Sequence, residues 1–209
     1  EAYVHPKEVI FQKIQETIDL GGTGVLMQGG LHPELPIEWY EDLFRSIKQN
    51  FQIHLHVLSA PEILNIAQIA SLAVEDTIAR LRDAGRDSIP GAGAEILHDD
   101  VRADLCPDKL NSAQWLEVME RAHEVGFKTT ATIMFGHIER PVHSARHLYA
   151  IAELQRRTGG FTEFVPLPFV AHEAPMYKKG NARRGPSYRE ALLMHAVPRL
   201  VLNGLISNI

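Results

Sequence analysis

The residues best suited to chemistry follow a short apolar stretch at positions 88–97, which reads SIPGAGAEIL. Pro90, Gly91 and Gly93 let the backbone turn sharply and approach a ligand closely, and they place Glu95 at the rim of the preceding strand. A carboxylate there can accept hydrogen bonds from a ribose hydroxyl or an amine; the ordinary alternative is a capping or solvated acid. A ligand site is favoured because four other predicted strands also end in polar or glycine-containing runs, at 28–30, 54–59, 129–137 and 163–168.

Histidines are the second set of residues that could take part in chemistry. Three of the 11, His54, His56 and His137, fall at the ends of predicted strands. His54 and His56 share a face, since side chains two apart in a strand point the same way. Neutral imidazoles bind zinc or iron well, so a metal-dependent barrel hydrolase using His54, His56 and Glu95 is one candidate, and hydrogen-bonded wall residues are the alternative. Signatures of hydride transfer, phosphoryl transfer and serine hydrolysis are missing from the sequence.

The elements that must position these residues alternate regularly between helix and strand. Apolar residues at helical spacing predict helices at 9–20, 37–50, 61–72, 74–84, 112–125, 143–157 and 188–203. Short apolar or β-branched runs predict strands at 24–27, 51–58, 86–89, 128–134 and 161–165. The loop at 166–186 is rich in proline, glycine and basic residues, so we expect it to be either functional or disordered.

Alternation of this kind, with connections too long for hairpins, implies parallel strands joined by crossover helices. An open doubly wound sheet would concentrate its site at one switch point, whereas a (β/α) barrel places it at the carboxyl ends of several strands. The polar runs follow several strands, so we predict an α/β barrel or a large arc of one.

Composition sets the remaining bounds. The chain has 209 residues, 45% of them hydrophobic, and a net charge of -5. A chain of this length is most simply one domain spanning 1–209. Scattered basic residues and the lack of a long apolar run predict no nucleic-acid partner, no membrane span and a cytoplasmic protein. Cys106 is the single cysteine, so neither a disulfide framework nor a thiolate metal site is expected. The chain has the appearance of being truncated at both ends.

Several motifs together resemble the radical S-adenosylmethionine (radical SAM) enzymes. They are QGGLHP at 28–33, HLHVLSAPE at 54–62, LRDAGRDSIPGAGAEIL at 81–97, KTTATIMFGHIE at 128–139 and TGGFTEFVPLPF at 158–169. Within that family the pattern resembles the branch that makes the deazaflavin chromophore FO, a part of coenzyme F420, and the futalosine-derived intermediates of menaquinone. The EFVPLPFVAHEAP and GNARRGPS runs of the last third are similar to the tyrosine-using half of FO synthase.

The resemblance implies a transferase that joins the 4-hydroxybenzyl group of L-tyrosine to 5-amino-6-(D-ribitylamino)uracil, with S-adenosylmethionine and a [4Fe-4S] cluster as cofactors and the other half of FO synthase as a partner. It implies that Gln28, Gly29 and Gly30 contact the methionine part of S-adenosylmethionine, and that Glu95 binds its ribose or amine. A futalosine-pathway enzyme is the nearest alternative, and a degenerate barrel kept as a binding module is a non-enzymatic one.

Substrate-contacting residues are assigned from the resemblance and from position. The resemblance places a substrate contact at Ser59, and His54 lies near it at the same predicted strand end. His56, His137 and Glu163 are candidates for holding tyrosine or the diaminouracil, or for moving protons, because each falls at a strand end.

One departure from the family pattern is clear. The family binds its cluster through a C-x-x-x-C-x-x-C loop after the first strand, and this sequence has only Cys106. We therefore expect a partial (β/α)6 barrel that lacks the first strand and its cluster loop, and a fragment that is inactive by itself.

Overall fold

The fold is known from a computed structural model that describes residues 3–209. The contacts within the chain divide it into two compact units, which meet in the sequence at Pro90 and Gly91. Each unit is built from parallel strands and covering helices, as the alternation of patterns predicts. The prediction of a single domain over 1–209 stays a prediction.

Within residues 3–90, the described part of the first unit, there are three strands and four helices. In chain order they are α1 (Lys7–Asp19), β1 (Gly24–Met27), α2 (Ile37–Asn50), β2 (His54–Val57), α3 (Ala60–Ala70), α4 (Val74–Asp83) and β3 (Ser88–Ile89). β1 pairs with β2 in parallel from Gly24↔His54 to Met27↔Val57, and β2 pairs with β3 through His56↔Ser88. Alternate residues of β2 are fully buried, so the histidines between them lie on the opposite face.

The second unit contains the remaining strands and helices. They are α5 (Asp99–Leu105), α6 (Ser112–Glu124), β4 (Lys128–Phe135), α7 (Pro141–Thr158), β5 (Phe161–Pro168), α8 (Pro175–Lys178) and α9 (Tyr188–Val201). β4 and β5 pair in parallel along their whole length, with one register shift between Thr129 and Thr130. The buried residues at the centre of this unit include Trp115, Met119, Ile133, Phe135, Ile151 and Phe164.

Several elements of the structure differ from the predicted ones, among them β3, which begins at Ser88 rather than at 86. The second strand begins at His54 rather than at 51, because the Phe51 N–H still bonds to Ile47 O at the end of α2. β5 continues to Pro168 rather than ending at 165. Proline is tolerated in this strand because β5 lies at a sheet edge, where its nitrogen is not required to donate a hydrogen bond. The short helices α5 and α8 lack a periodic apolar pattern and were not predicted from sequence.

The loop at 166–186 is held firmly against the exit of β4. Glu139 is almost fully buried, and its Oε1 accepts hydrogen bonds from the Gly136 N–H at 2.7 Å and from Arg183 Nη2 at 3.0 Å. Arg183 also bonds to Glu190 Oε1 at 2.6 Å, and its backbone N–H donates to His137 O. Arg183 therefore links this stretch to the β4 exit and to α9, and the expectation that the stretch is either functional or disordered stays a prediction.

Gly160 has no room for a side chain. A Cβ there would lie far inside van der Waals contact with ring atoms of His123, whose nitrogens bond to the hydroxyls of Thr158 and Thr129. Because the ring cannot move without breaking those bonds, Gly160→Ala should lower the free energy of unfolding by about 1–3 kcal/mol. Chemical denaturation measures this change in the free energy of unfolding. Gly30→Ala is the matched control, since its Cβ would meet nothing within 4 Å, and an equal effect of the two substitutions would contradict this packing.

His147 should make the fold sensitive to acid. The ring is fully buried, its Nδ1 accepts the Leu97 N–H at 2.9 Å, and burial lowers its pKa to about 3. The folded state therefore binds fewer protons than the unfolded state between pH about 6.5 and about 3, so stability falls as pH falls through that window, by about 1.4 kcal/mol per pH unit. Urea denaturation from pH 7 downward tests this. His147→Gln keeps an acceptor for Leu97 and should flatten the slope; an unchanged slope would assign the acid sensitivity elsewhere.

Candidate functional site

In the first unit, the loop that follows β1 is tied to the start of α3 by a buried carboxylate. Gln28, Gly29 and Gly30 are exposed, and the Gly29 N–H donates to Glu62 Oε1 at 2.7 Å. A Cβ on Gly29 would meet nothing nearer than 3.9 Å, and a Cβ on Gly30 would meet nothing within 4 Å. The loop thus presents open backbone that a ligand can approach, as its glycines predict.

Ser59, predicted as a substrate contact, donates hydrogen bonds to the same carboxylate. Its hydroxyl and its N–H both donate to Glu62 Oε2, at 2.6 and 2.7 Å, which forms the capping box that starts α3. Ser59 and Glu62 are both buried. The preceding residue, Leu58, has φ 57° and its carbonyl accepts a hydrogen bond from buried Arg86. A strained backbone at the carboxyl end of a strand is typical of functional sites.

His54 and His56 meet at one hydroxyl. His54 Nε2 lies 2.7 Å and His56 Nδ1 lies 2.6 Å from Ser88 Oγ. His54 is exposed, whereas His56 is half-buried, and burial together with the nearby charges of His54 and Arg86 lowers the pKa of His56. The structure therefore brings the two predicted histidines together, through a serine that was not predicted to be functional.

In the second unit, Glu95 follows the predicted glycine-rich turn and itself has a strained backbone conformation. Its φ is 46°, and its carbonyl accepts the Met134 N–H at 2.7 Å. Its carboxylate bonds to Lys109 Nζ at 2.7 Å, and the Glu95 side chain retains 19% of its exposure. A cavity of about 370 Å³ adjoins this pair, and its lining includes Glu95, Cys106, Lys109, Met134, Phe169 and Met176. A carboxylate at the edge of a largely apolar cavity suits a ligand with a polar and a flat apolar part.

The glycine-rich turn before Glu95 is required by close packing. A Cβ on Gly91 would lie 2.8 Å from the Cα of Ala131, because the backbone of the turn runs against β4. The Gly91 N–H donates to Thr130 Oγ1, and Thr132 Oγ1 donates to the Gly91 carbonyl. Arg102 is buried and donates to the carbonyls of the same turn. These bonds fix the backbone that carries Glu95.

His137 is fully buried and both of its ring nitrogens are used by the backbone. Its Nε2 donates to Met134 O at 3.0 Å and its Nδ1 accepts the Ile138 N–H at 2.8 Å. Burial lowers its pKa, although the carboxylate of Glu139 opposes this. His137 and Glu95 thus both bond to Met134, while the third predicted residue of this unit, Glu163, bonds to Asn208 Nδ2 at 2.8 Å. The structure does not bring Glu163 to the Glu95 cavity.

Residues that sequence reasoning did not single out hold much of this geometry. They are Glu62, Ser88, Arg102, Lys109, Glu139 and Arg183. The spacing of Ser59 and Glu62 is a capping-box signal that could have identified Glu62. The others depend on contacts between residues distant in sequence.

The two cofactors that the resemblance to radical SAM enzymes implies fit the residues present unequally. No group of three or more histidine, cysteine or acidic side chains within residues 3–209 could hold a metal, and the sequence has one cysteine, so these residues do not fit a [4Fe-4S] cluster. The metal-dependent hydrolase gains no support from the same geometry, since His54 and His56 bond to Ser88. The open Gly29–Gly30 backbone and the Glu95 carboxylate each offer polar groups that S-adenosylmethionine could use.

Comparison with known proteins identifies the family. The model of the Radical SAM superfamily matches residues 1–148. The chain is 46% identical over its whole length to 5-amino-6-(D-ribitylamino)uracil–L-tyrosine 4-hydroxyphenyl transferase of Methanothermobacter thermautotrophicus, and covers 57% of it. It is 43% identical over its whole length to FO synthase of Mycobacterium leprae, and covers 24% of it. The chain thus spans about half of one relative and a quarter of the other.

A solved structure supports the fold. Methylornithine synthase superposes with a TM-score of 0.60 at 12% identity, over 91% of this chain and 52% of that one. This likeness and the parallel strands with their helices confirm the predicted fold class, a partial (β/α) barrel. The match of the family model to most of the sequence, on this fold, shows that the chain belongs to the radical SAM superfamily.

Proposed function

We propose that this chain forms part of a radical SAM transferase that joins the 4-hydroxybenzyl group of L-tyrosine to 5-amino-6-(D-ribitylamino)uracil, in the synthesis of FO and coenzyme F420. The observation that carries the proposal is the 46% identity, over the full chain, to a relative named for that transfer. The remainder of such an enzyme would supply the cluster ligands, and the other half of FO synthase is the proposed partner.

S-adenosylmethionine is the proposed cofactor, and when bound and reduced it supplies the 5'-deoxyadenosyl radical. In this proposal the exposed backbone of Gln28, Gly29 and Gly30 holds the methionine part, and Glu62 keeps that loop in place through the Gly29 N–H. The Glu95 carboxylate accepts a hydrogen bond from the ribose or amine, and the Lys109 ion pair orients it. A preformed loop and a fixed carboxylate reduce the ordering cost of binding.

The substrate roles follow from position. His56 moves protons or holds a substrate, with His54 beside it, and Ser59 acts through the wall that it forms with Glu62. His137 and Glu163 remain candidates for the same roles; because both His137 nitrogens bond to backbone, its part in this proposal is to shape the wall near Met134. Radical chemistry depends mainly on a dry cavity that positions the reacting bond, and the apolar lining near Glu95 suits that need.

The test uses the complete protein, reconstituted anaerobically with iron, sulfide and a reductant. With S-adenosylmethionine present, 5'-deoxyadenosine should form fastest when both tyrosine and the diaminouracil are added. Omitting tyrosine should reduce it to the uncoupled background. If instead a futalosine-pathway intermediate stimulates 5'-deoxyadenosine and the tyrosine pair does not, the proposed transfer is wrong and the alternative branch is correct.

A further inference from the structure

We propose that His54, Ser88 and His56 form a proton relay in the first unit, on the face of β2 opposite Leu55 and Val57. The relay carries protons between solvent and a group bound next to His56. The three residues come from two adjacent strands, and the register pairs His56 with Ser88. Both imidazoles lie within hydrogen-bond distance of the same oxygen, at 2.7 and 2.6 Å from Ser88 Oγ. The relay deepens the proposed function, since the amine and phenol groups of its substrates exchange protons.

The chemistry of the hydroxyl makes the three groups act together. Ser88 Oγ carries one proton, so it donates to only one imidazole and accepts an N–H from the other. When His54 is protonated, its Nε2–H donates to Ser88 Oγ, and the serine proton points to His56 Nδ1. A change in the protonation of one ring therefore changes the direction of both hydrogen bonds.

One transfer balances without any oxidant or reductant. The Nε2 proton of cationic His54 moves to Ser88 Oγ as the serine proton moves to His56 Nδ1, which leaves His54 neutral and His56 cationic. His56 then releases its Nε2 proton to a basic oxygen or nitrogen of the bound group. Solvent supplies the next proton to His54, and rotation of the serine hydroxyl with exchange of the ring protons restores the starting arrangement.

The burial of the two rings gives the relay its two ends. His54 is exposed and lines a cavity of about 810 Å³ at the amino ends of the strands, together with Lys48 and Asp87. His56 is half-buried and lies two residues further toward the carboxyl end of β2. The residues proposed to bind a ligand lie at that end. The charges that act on His56 are those of His54 and Arg86, and Glu62 is the opposite charge that acts on Arg86. Burial, together with these two charges, lowers the pKa of His56 and so favours the neutral ring that a proton acceptor requires.

The test measures proton exchange in this chain without cofactor. In a sample with 15N-labelled histidine, NMR reports how fast the ring proton of His56 exchanges with water. His54→Gln removes the carrier on the solvent side and leaves the Ser88–His56 bond in place, so exchange at His56 should slow by about a hundredfold, the low end for a positioned proton-transfer group. Ser88→Ala should slow it as much. His195→Gln, on exposed α9, should leave it unchanged.

The result that would overturn the relay is unchanged His56 exchange in His54→Gln, because His56 would then exchange directly with water and the serine contacts would be purely structural. His54 is exposed, so this variant should fold even if Ser88→Ala does not. Since the measurement involves neither tyrosine nor the diaminouracil, failure of the relay and failure of the proposed transfer are distinguishable.

Discussion

Glu62→Ala should lower the free energy of unfolding by about 3–5 kcal/mol, because it leaves several donors without their charged acceptor, each at a cost of about 1–3 kcal/mol. Glu62 is 5% exposed and accepts hydrogen bonds from the Gly29 N–H and from both the N–H and the hydroxyl of Ser59. It is also the opposite charge that favours the cationic form of fully buried Arg86. The substitution removes these acceptors and that charge together, so its cost should exceed that of losing a helix cap alone.

Urea denaturation of the chain measures this effect. The matched control is Glu75→Ala, which removes an exposed acid from the first turn of α4, just as Glu62 lies in the first turn of α3. Glu75→Ala should cost less than about 1 kcal/mol, since it removes only a favourable charge at a helix amino terminus. Comparable losses in the two variants would show that Glu62 acts as an ordinary helix-terminal acid and does not bind the β1 loop in place.

Glu95→Gln in the complete, cluster-loaded enzyme should weaken the binding of S-adenosylmethionine about tenfold to a hundredfold. The amide keeps the size of the side chain and loses a charge-assisted hydrogen bond of about 1.5–3 kcal/mol. Stability should change little, because the bonds that fix this turn come from the backbone of Gly91 and Glu95 and from Arg102. Isothermal titration of both proteins with S-adenosylmethionine gives the affinities.

A more exposed glutamate–lysine pair supplies the control for this experiment. Glu173 bonds to Lys178 at 3.0 Å on the surface, so Glu173→Gln also breaks a glutamate–lysine pair. It should leave the affinity for S-adenosylmethionine unchanged. Equal affinities of the Glu95→Gln and wild-type enzymes would remove Glu95 from the cofactor site and leave it as the partner of Lys109 alone.

The sequence predicts the elements well because their signals are local. The five parallel strands and the main helices follow from apolar periodicity and from glycine and proline at their ends, and the place of Glu95 after a sharp turn follows from Pro90, Gly91 and Gly93. The positive φ of Glu95 does not follow, because Glu95 is not a glycine. The exact start of β2 does not follow, since the hydrogen bond from the Phe51 N–H to the end of α2 decides it. The short helix α8 does not follow either, because it has no periodic apolar pattern. The motifs indicate the family, which the apolar periodicity alone cannot do.

The candidate site residues also divide into features that local sequence predicts and features that long-range contacts decide. That His54 and His56 share a face is a consequence of strand geometry, but their common partner Ser88 depends on the register between β2 and β3. His137 marks a strand end correctly, yet its burial and its bonds to Met134 and Ile138 arise from how the β4 exit folds back. Sequence can identify residues near a site, and long-range contacts decide which of them face a ligand.

The proposed transfer is tested most directly by following the tyrosine ring. The complete enzyme, reconstituted anaerobically, is incubated with S-adenosylmethionine, ring-13C tyrosine and unlabelled 5-amino-6-(D-ribitylamino)uracil, and the pyrimidine products are analysed by mass spectrometry. The account predicts a pyrimidine that carries the labelled 4-hydroxybenzyl group, formed only when S-adenosylmethionine is present. Formation of 5'-deoxyadenosine with no label in any pyrimidine product would contradict it.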